Sequence, residues 1–195
     1  IATLIRQDQR LLERLSAVDR VVAPWNLPMP RYGDPYKQAA RSLVVKPDGF
    51  VGNFNRFFDQ PDAPPEVQYP RDLVDEVQPG LVLDLHEGYG SGFYVYKPVS
   101  EEPLANRIAS AMGEAVVARG GQSATPEELQ PYWGPRLGRD RTYFGNGIFY
   151  SGSGTLSSFG DYCQVRTIAF TLETGGMNPV NWRAELHLWA SLAAI

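Results

Sequence analysis

The chain has 195 residues, of which 43% are hydrophobic and 12% aromatic, so it can bury a core and is not globally disordered. Its formal net charge of −4 provides no basic surface for nucleic acid, and no run of about 18 apolar residues predicts a membrane helix. The single cysteine, Cys163, excludes an internal disulfide.

The N-terminal part of the chain predicts a helix, a short strand and a long loop. Apolar residues follow one helical face over 1–16, residues 21–23 form a buried strand ended by a proline, and 25–37 is rich in proline. A helix with no preceding cap is typical of the middle of a fold. We therefore expect further residues before Ile1.

The rest of the chain alternates helices with short aliphatic strands. Helices are predicted at about 70–77, over 101–118 and from about 179 onward, and strands over 81–85, 92–96 and 166–174. Residues 119–147 are polar and rich in glycine and proline, which predicts a long surface excursion. The alternation predicts the α/β class, with a single-domain mixed β-sheet flanked by helices.

Polar side chains follow two of these strands at the point where each strand ends. The run LVLDL leads into His86, Glu87 and Gly88, and the run AFTL leads into Glu173. Ligands of open α/β sheets bind beyond the carboxyl ends of the strands. Imidazole is a common zinc ligand, and a carboxylate beside zinc can take a proton from a metal-activated water. The simpler alternative is a histidine that only caps a strand, beside a solvated glutamate.

Asn55 and Arg56 form a second polar pair, within the loop-rich stretch 47–65. A guanidinium fork binds a carboxylate through two parallel hydrogen bonds, and an asparagine amide can add a donor. The alternative is an ordinary loop arginine that pairs with a surface acid.

Four segments in order resemble successive motifs of the zinc carboxypeptidases. They are GNFNRFF, LDLHEGYGSGFYVY, IFYSGSGTLSSFGDY and IAFTLETGG. The same segments fit the wider superfamily that includes succinylglutamate desuccinylase and aspartoacylase. The resemblance implies a zinc-carboxypeptidase-like fold in which His86 is the third zinc ligand and Glu173 is the general base. It also implies that Asn55 and Arg56 hold the terminal carboxylate of the substrate.

Further roles follow from the same resemblance. Tyr150 would lie on a mobile loop that closes over the substrate, although a packed aromatic beside Phe149 is the alternative. Arg41 would be the upstream arginine that polarises the scissile carbonyl. Ser157 and Ser158 would lie near the pocket for the substrate side chain.

The sequence departs from the family at the first two metal ligands. The family carries a histidine and a glutamate in an HxxE motif, and the chain has no such motif. The helix over 1–16 resembles the one that follows this motif, so we expect both ligands before Ile1. A zinc site needs three protein ligands and a water, so we expect the 195 residues alone to bind zinc poorly and to be inactive. The second histidine, His187, is expected to be structural, because Glu185 does not share its helix face.

These observations predict a zinc-dependent metallocarboxypeptidase that hydrolyses the C-terminal peptide bond of a peptide. One alternative is an N-acyl amino acid deacylase of the desuccinylase and aspartoacylase type. Another is an inactive module that binds a carboxylate through Asn55 and Arg56. The expected partner is a peptide or an N-acyl amino acid with a free carboxylate, and neither nucleic acid nor membrane is expected. The compartment stays open, with a periplasmic or secreted location slightly favoured.

Overall fold

The computed structural model describes six stretches of the chain, 43–45, 51–97, 103–134, 142–150, 157–176 and 178–195. The helix, strand and loop predicted before residue 38 lie outside the described residues, as does Arg41. The chain divides into two compact units, Ile1–Glu76 and Val77–Ile195.

The described part of the first unit begins with a short hairpin. Strand β1 (Leu43–Val45) pairs antiparallel with strand β2 (Val51–Asn53). A single 3-10 turn over Phe54–Arg56 follows. Asn55 and Arg56 therefore leave the end of a strand on a tight turn.

Helix α1 (Pro65–Val77) begins five residues before the predicted start near 70. Its first turn forms because the N–H groups of Val67 and Gln68 both donate to the carbonyl of Pro64. Pro65 suits the first helical position, where a missing N–H costs nothing. Pro70 lies inside the helix, where it removes one backbone donor.

The second unit is built on a four-stranded mixed sheet with the order β3-β6-β4-β5. The strands are β3 (Leu81–Gly88), β4 (Phe93–Lys97), β5 (Ile148–Tyr150) and β6 (Ile168–Gly175). Strands β3 and β6 are parallel, β4 runs antiparallel to β6, and β5 runs parallel to β4. The predicted α/β class, with a mixed sheet and flanking helices, is confirmed.

Four helices of the described chain accompany this sheet. They are α2 (Pro103–Ala118), α3 (Pro126–Trp133), α4 (Phe159–Gln164) and α5 (Val180–Ala193). Helices α2 and α5 pack on one face, where they form the main core with alternate residues of the strands. The largest buried members of this core are Phe93, Phe170, Met112, Leu172, Leu186 and Val95. No described helix is long and apolar enough to cross a membrane.

An aromatic cluster covers part of the opposite face of the sheet. It consists of the buried residues Tyr94, Phe149, Trp133, Leu129 and Ala124. The Trp133 ring meets Phe149 edge-on at 4.9 Å and Tyr94 at 5.5 Å between centroids. Such edge-to-face pairs add to the stabilisation from buried area.

The sequence predicts a long surface excursion over 119–147, but this segment contains helix α3. The helix begins because the Thr125 hydroxyl accepts a hydrogen bond from the Glu128 N–H at 3.3 Å, with a proline at the first helical position. Leu129 and Trp133, four residues apart, anchor it in the aromatic cluster. Among the described residues of this segment, Leu129 and Trp133 are the large apolar side chains that are buried, and its polar, glycine-rich composition is typical of a loop.

Helix α4 was also not predicted. Ser158 caps it, because its hydroxyl accepts from the Asp161 N–H at 3.1 Å. This residue, which the resemblance placed near a substrate pocket, thus has a structural role in the described chain. Cys163 on the same helix is fully buried.

We expect Leu186→Ala to lower the free energy of unfolding by about 2–5 kcal/mol, because it leaves a cavity in the main core. Leu186 is 1% exposed, whereas Leu192 on the same helix is 61% exposed. Leu192→Ala is therefore the matched control and should change stability by less than about 0.5 kcal/mol. Urea unfolding monitored by tryptophan fluorescence measures both. Equal effects would contradict the packing of α5 described above.

Candidate functional site

The candidate site lies on two neighbouring parallel strands of the second unit, the edge strand β3 and the inner strand β6. The sequence predicts that strand β3 ends at Leu85, but the strand continues through His86 to Gly88. The register pairs His86 directly with Glu173 of β6. Their side chains meet, with Nδ1 of His86 4.0 Å from Oε1 of Glu173. The structure thus brings together the two residues that the strand ends indicated.

Alternation along the strands decides which residues share this face of the sheet. Asp84, His86 and Gly88 lie on one side of β3, because side chains two residues apart point the same way. Tyr94 of β4 lies directly opposite Glu173 and joins the same face. The polar site therefore borders the aromatic cluster, while the main core occupies the other face.

Asp84 is a site residue that the sequence reasoning missed. Its Oδ2 lies 3.0 Å from Nε2 of His86, so the two ring nitrogens of His86 face two different carboxylates. The His86 side chain is 29% exposed, compared with 14% for Asp84 and 12% for Glu173. The signal was present in the sequence as an aspartate two positions before the histidine within an aliphatic strand.

The second histidine supports the site from the core side. Nε2 of His187 in α5 lies 3.0 Å from the carbonyl oxygen of His86 and 3.2 Å from the Thr174 hydroxyl. A carbonyl only accepts, so Nε2 carries the proton and donates. Burial lowers the pKa of His187, which outweighs the opposite effect of its bond to His86. The ring therefore stays neutral at pH 7 and fixes the backbone of His86.

Glu87 points away from the site, because neighbouring side chains on a strand point to opposite faces. Its carboxylate pairs with the buried Arg183 of α5. This ion pair joins the end of β3 to α5 on the core side of the sheet. It adds nothing to the chemistry of the opposite face.

Gly88 is the position where the strand end approaches its neighbours most closely. An added Cβ would overlap the Tyr94 hydroxyl and lie 2.9 Å from Oε2 of Glu173. The Tyr94 hydroxyl in turn accepts a hydrogen bond from the Tyr89 N–H at 3.0 Å. Only glycine leaves room for Tyr94 and Glu173 to occupy this space together.

Helix α3 braces the connection from β3 to β4. Oε1 of Glu128 accepts hydrogen bonds from the Ser91 N–H, from the Ser91 hydroxyl at 2.8 Å and from the Gly92 N–H at 3.0 Å. The Tyr89 ring stacks on Tyr132 at 4.8 Å between centroids. One carboxylate therefore fixes the turn that follows the candidate site.

Tyr150 does not join His86 and Glu173. It is the last residue of β5, and its register partner is Lys97, whose side chain lies on the face of the main core. Tyr150 and Lys97 line a pocket of about 650 Å³ with residues of α2. This placement differs from the predicted substrate-covering loop, and the role in substrate binding stays a prediction.

Asn55 and Arg56 belong to the first unit. The Arg56 side chain is exposed, and its guanidinium donates to the carbonyl of Asn55. Arg41 lies outside the described residues. The described residues contain no group of three or more His, Cys, Asp or Glu side chains that could hold a metal ion. His86 is therefore one candidate ligand and not a complete site.

Comparisons with known proteins show a similarity of fold. No family model matches the sequence, and no curated protein matches it significantly. The structure is similar to that of a putative metallopeptidase from Shewanella amazonensis SB2B, with a TM-score of 0.51 and 18% sequence identity. The match covers 83% of this chain but 59% of the Shewanella protein. The chain therefore has a peptidase-like α/β fold.

We expect Gly88→Ala to destabilise the protein by about 1–3 kcal/mol, because the methyl group overlaps the Tyr94 hydroxyl. The matched control is Gly80→Ala, since a Cβ at Gly80 meets nothing within 4 Å. Adding Tyr94→Phe to Gly88→Ala should recover part of the loss by removing the hydroxyl. Thermal unfolding of Gly88→Ala, Tyr94→Phe, the double variant and the Gly80→Ala control provides the measurement. A fully additive double variant would contradict the proposed overlap.

The hydrogen bonds that the Glu128 carboxylate accepts predict that the stability of the protein depends on pH. Partial burial raises the pKa of Glu128, but the hydrogen bonds from Ser91, Gly92 and Thr125 outweigh it and the net pKa is lowered from 4.5. A lowered carboxyl pKa stabilises the fold above the unfolded value and loses this contribution as pH falls through the folded value. We expect Glu128→Gln to cost roughly 1–2 kcal/mol at pH 7.

The difference between wild type and Glu128→Gln should shrink when urea unfolding is repeated below pH 4.5. Glu114→Gln, at an exposed glutamate of α2, is the control and should follow the wild type at every pH. If the difference stays constant with pH, the charge of Glu128 does not stabilise the turn between β3 and β4.

Proposed function

We propose that the chain is the catalytic part of a zinc-dependent metallopeptidase that removes the C-terminal residue of a peptide. The observation that carries the proposal is the register that pairs His86 with Glu173 on neighbouring parallel strands. The similarity of the fold to that of a putative metallopeptidase supports the proposal. The four sequence motifs add the preference for a carboxypeptidase.

The described residues supply one donor that suits zinc, the imidazole of His86, and they do not complete a zinc site. An imidazole is a common ligand of zinc, and a carboxylate beside the ligand is typical of zinc sites. His86 would hold the metal, and the remaining ligands would come from outside the described residues. Zinc, when bound, would lower the pKa of a coordinated water and polarise the scissile carbonyl.

Side chains of this chain would transfer the proton and bind the substrate. Glu173 is 12% exposed, so its carboxylate is shielded yet reachable, and it would accept a proton from the attacking water and pass it to the leaving amine. The exposed guanidinium of Arg56, with the amide of Asn55, would bind the terminal carboxylate of the peptide through a fork of hydrogen bonds. Specificity for a free C-terminus follows from this pairing.

The test uses the complete protein loaded with zinc and three substrate sets: peptides with a free C-terminus, the same peptides amidated, and N-acyl amino acids. We expect removal of one C-terminal residue from the free peptides and none from the amides. Cleavage of the N-acyl amino acids alone would replace the proposal with a deacylase. Cleavage of none of the three sets would overturn the hydrolase proposal.

Glu173→Gln should lower kcat by about 10²–10⁴-fold, because the amide cannot accept the proton. Zinc content should stay at the wild-type level, since Glu173 is proposed as a base and not as a ligand. The control is Glu185→Gln, at an exposed glutamate of α5, with unchanged kcat. Unchanged turnover in Glu173→Gln would remove Glu173 from the mechanism.

A further inference from the structure

We propose that Asn146 is a site of spontaneous deamidation, and that the hairpin around it controls when this modification occurs. Of the asparagines in the chain, Asn146 is the one that is followed by glycine. Gly147 has no side chain to hinder its own backbone nitrogen, which is the nucleophile of the reaction. Asn146 is exposed, so water reaches this residue. The proposal does not depend on the proposed function, because neither residue belongs to the candidate site.

The reaction uses the protein and water alone. The backbone nitrogen of Gly147 attacks Cγ of Asn146 and loses its proton, a C–N bond forms, and the side-chain nitrogen leaves as ammonia. Water then opens the resulting cyclic imide at either of its carbonyls. One opening gives aspartate. The other gives isoaspartate, in which the backbone runs through the former side chain and is longer by a methylene group.

Residues 145–148 form a tight turn whose backbone lies in the left-handed region. The φ angle is 96° at Gly145, 47° at Asn146 and 74° at Gly147. The Ile148 N–H closes the turn by donating to the Gly145 carbonyl at 2.8 Å. Positive φ at both central residues is characteristic of a type I′ turn, for which Asn-Gly is a preferred pair. The dipeptide that favours this hairpin therefore also carries the reactive amide.

The closed turn keeps the two reacting atoms apart. Ring closure requires the Gly147 nitrogen to lie on the same side of the Cα–C bond of Asn146 as Cβ does. In the left-handed conformation this nitrogen lies nearly opposite to Cβ about that bond. Attack therefore requires a large backbone rotation, which breaks the hydrogen bond between Ile148 and Gly145.

Contacts on both sides of the turn oppose this rotation. Gly147 is buried, and its carbonyl accepts a hydrogen bond from the Val95 N–H of β4 at 2.9 Å. A Cβ added to Gly147 would lie 2.5 Å from the carbonyl oxygen of Phe93. On the other side, a Cβ added to Gly113 of α2 would lie 2.7 Å from the carbonyl oxygen of Asn146. Because β4 and α2 enclose the turn, we expect deamidation to proceed from a locally opened hairpin.

The two products differ in their effect on the hairpin. Aspartate keeps the length of the backbone, and Asp-Gly also suits a type I′ turn. Isoaspartate lengthens the backbone, so the turn cannot close with the same hydrogen bonds. Strand β5 follows directly, and its Phe149 meets Trp133 edge-on in the aromatic cluster. Formation of isoaspartate therefore loosens the attachment of β5 to β4.

The first experiment follows deamidation of the complete protein at mildly alkaline pH in ¹⁸O-labelled water, with peptide mapping by mass spectrometry. In guanidinium chloride that unfolds the chain, we expect Asn146 to react before every other asparagine. Without denaturant, we expect the rate at Asn146 to be lower by about 10-fold or more, because the hairpin must open first. If Asn146 reacts no faster than the other asparagines in the unfolded chain, the site is refuted. Equal rates in the two conditions would refute control by the hairpin.

Two substitutions in the same hairpin test this control. Phe149 is fully buried in the aromatic cluster, so Phe149→Ala should open the hairpin more often and raise the native rate at Asn146 by about 10-fold or more. Phe144 is 57% exposed, so Phe144→Ala is the matched control and should leave the rate unchanged. A folded Phe149→Ala with the wild-type rate would contradict the proposal. If that variant does not fold, the wild-type rate below the global unfolding transition decides: it should rise with denaturant, and a constant rate would contradict the proposal.

A last comparison isolates the effect of the longer backbone. The isoaspartate form, separated by ion exchange, is compared with Asn146→Asp, which carries the same charge on an unchanged backbone. We expect Asn146→Asp to unfold at nearly the wild-type temperature and the isoaspartate form to unfold at a clearly lower one. Equal unfolding temperatures for these two forms would overturn the proposed effect on the hairpin.

Discussion

The parallel register between β3 and β6 is the constraint on which the rest of the site depends. Side chains alternate along a strand with period two, so a slip of one residue would send every side chain to the other face. Phe170 and Leu172 must face the core under α2 and α5, and this fixes Glu173 on the opposite face. The hydrophobic core therefore places the polar site, although no core residue touches the proposed chemistry.

Several separate contacts fix the position of the strand end that carries His86. His187 bonds its carbonyl from the core side, and the Glu87–Arg183 pair joins the same strand to α5. Glu128 fixes the turn that follows. Side chains whose backbone is fixed in this way need no reorganisation when a ligand arrives, which is the arrangement that a catalytic group requires.

The sequence predicted the parts of the fold that depend on long apolar patterns. Strands β3 and β6 and helix α2 follow from aliphatic runs bounded by turns, and the meeting of His86 with Glu173 follows from strand ends. Helix α3 was missed because capping at Thr125, and not periodicity, defines it. The face of Tyr150 could not be predicted, because the register between β4 and β5 sets it. The strand ends do not indicate Asp84, because it lies within β3 and reaches the site through the alternation of side chains along the strand.

The cost of this polar face is itself an argument for function. Asp84 and Glu173 are largely shielded from water on either side of one imidazole, and a sheet that only needed stability would place apolar side chains there. All three side chains lie on the site face of the sheet, and the imidazole lies between the two acids. This concentration of polar side chains on one face is why we propose a hydrolase site here over a purely structural role for the three residues.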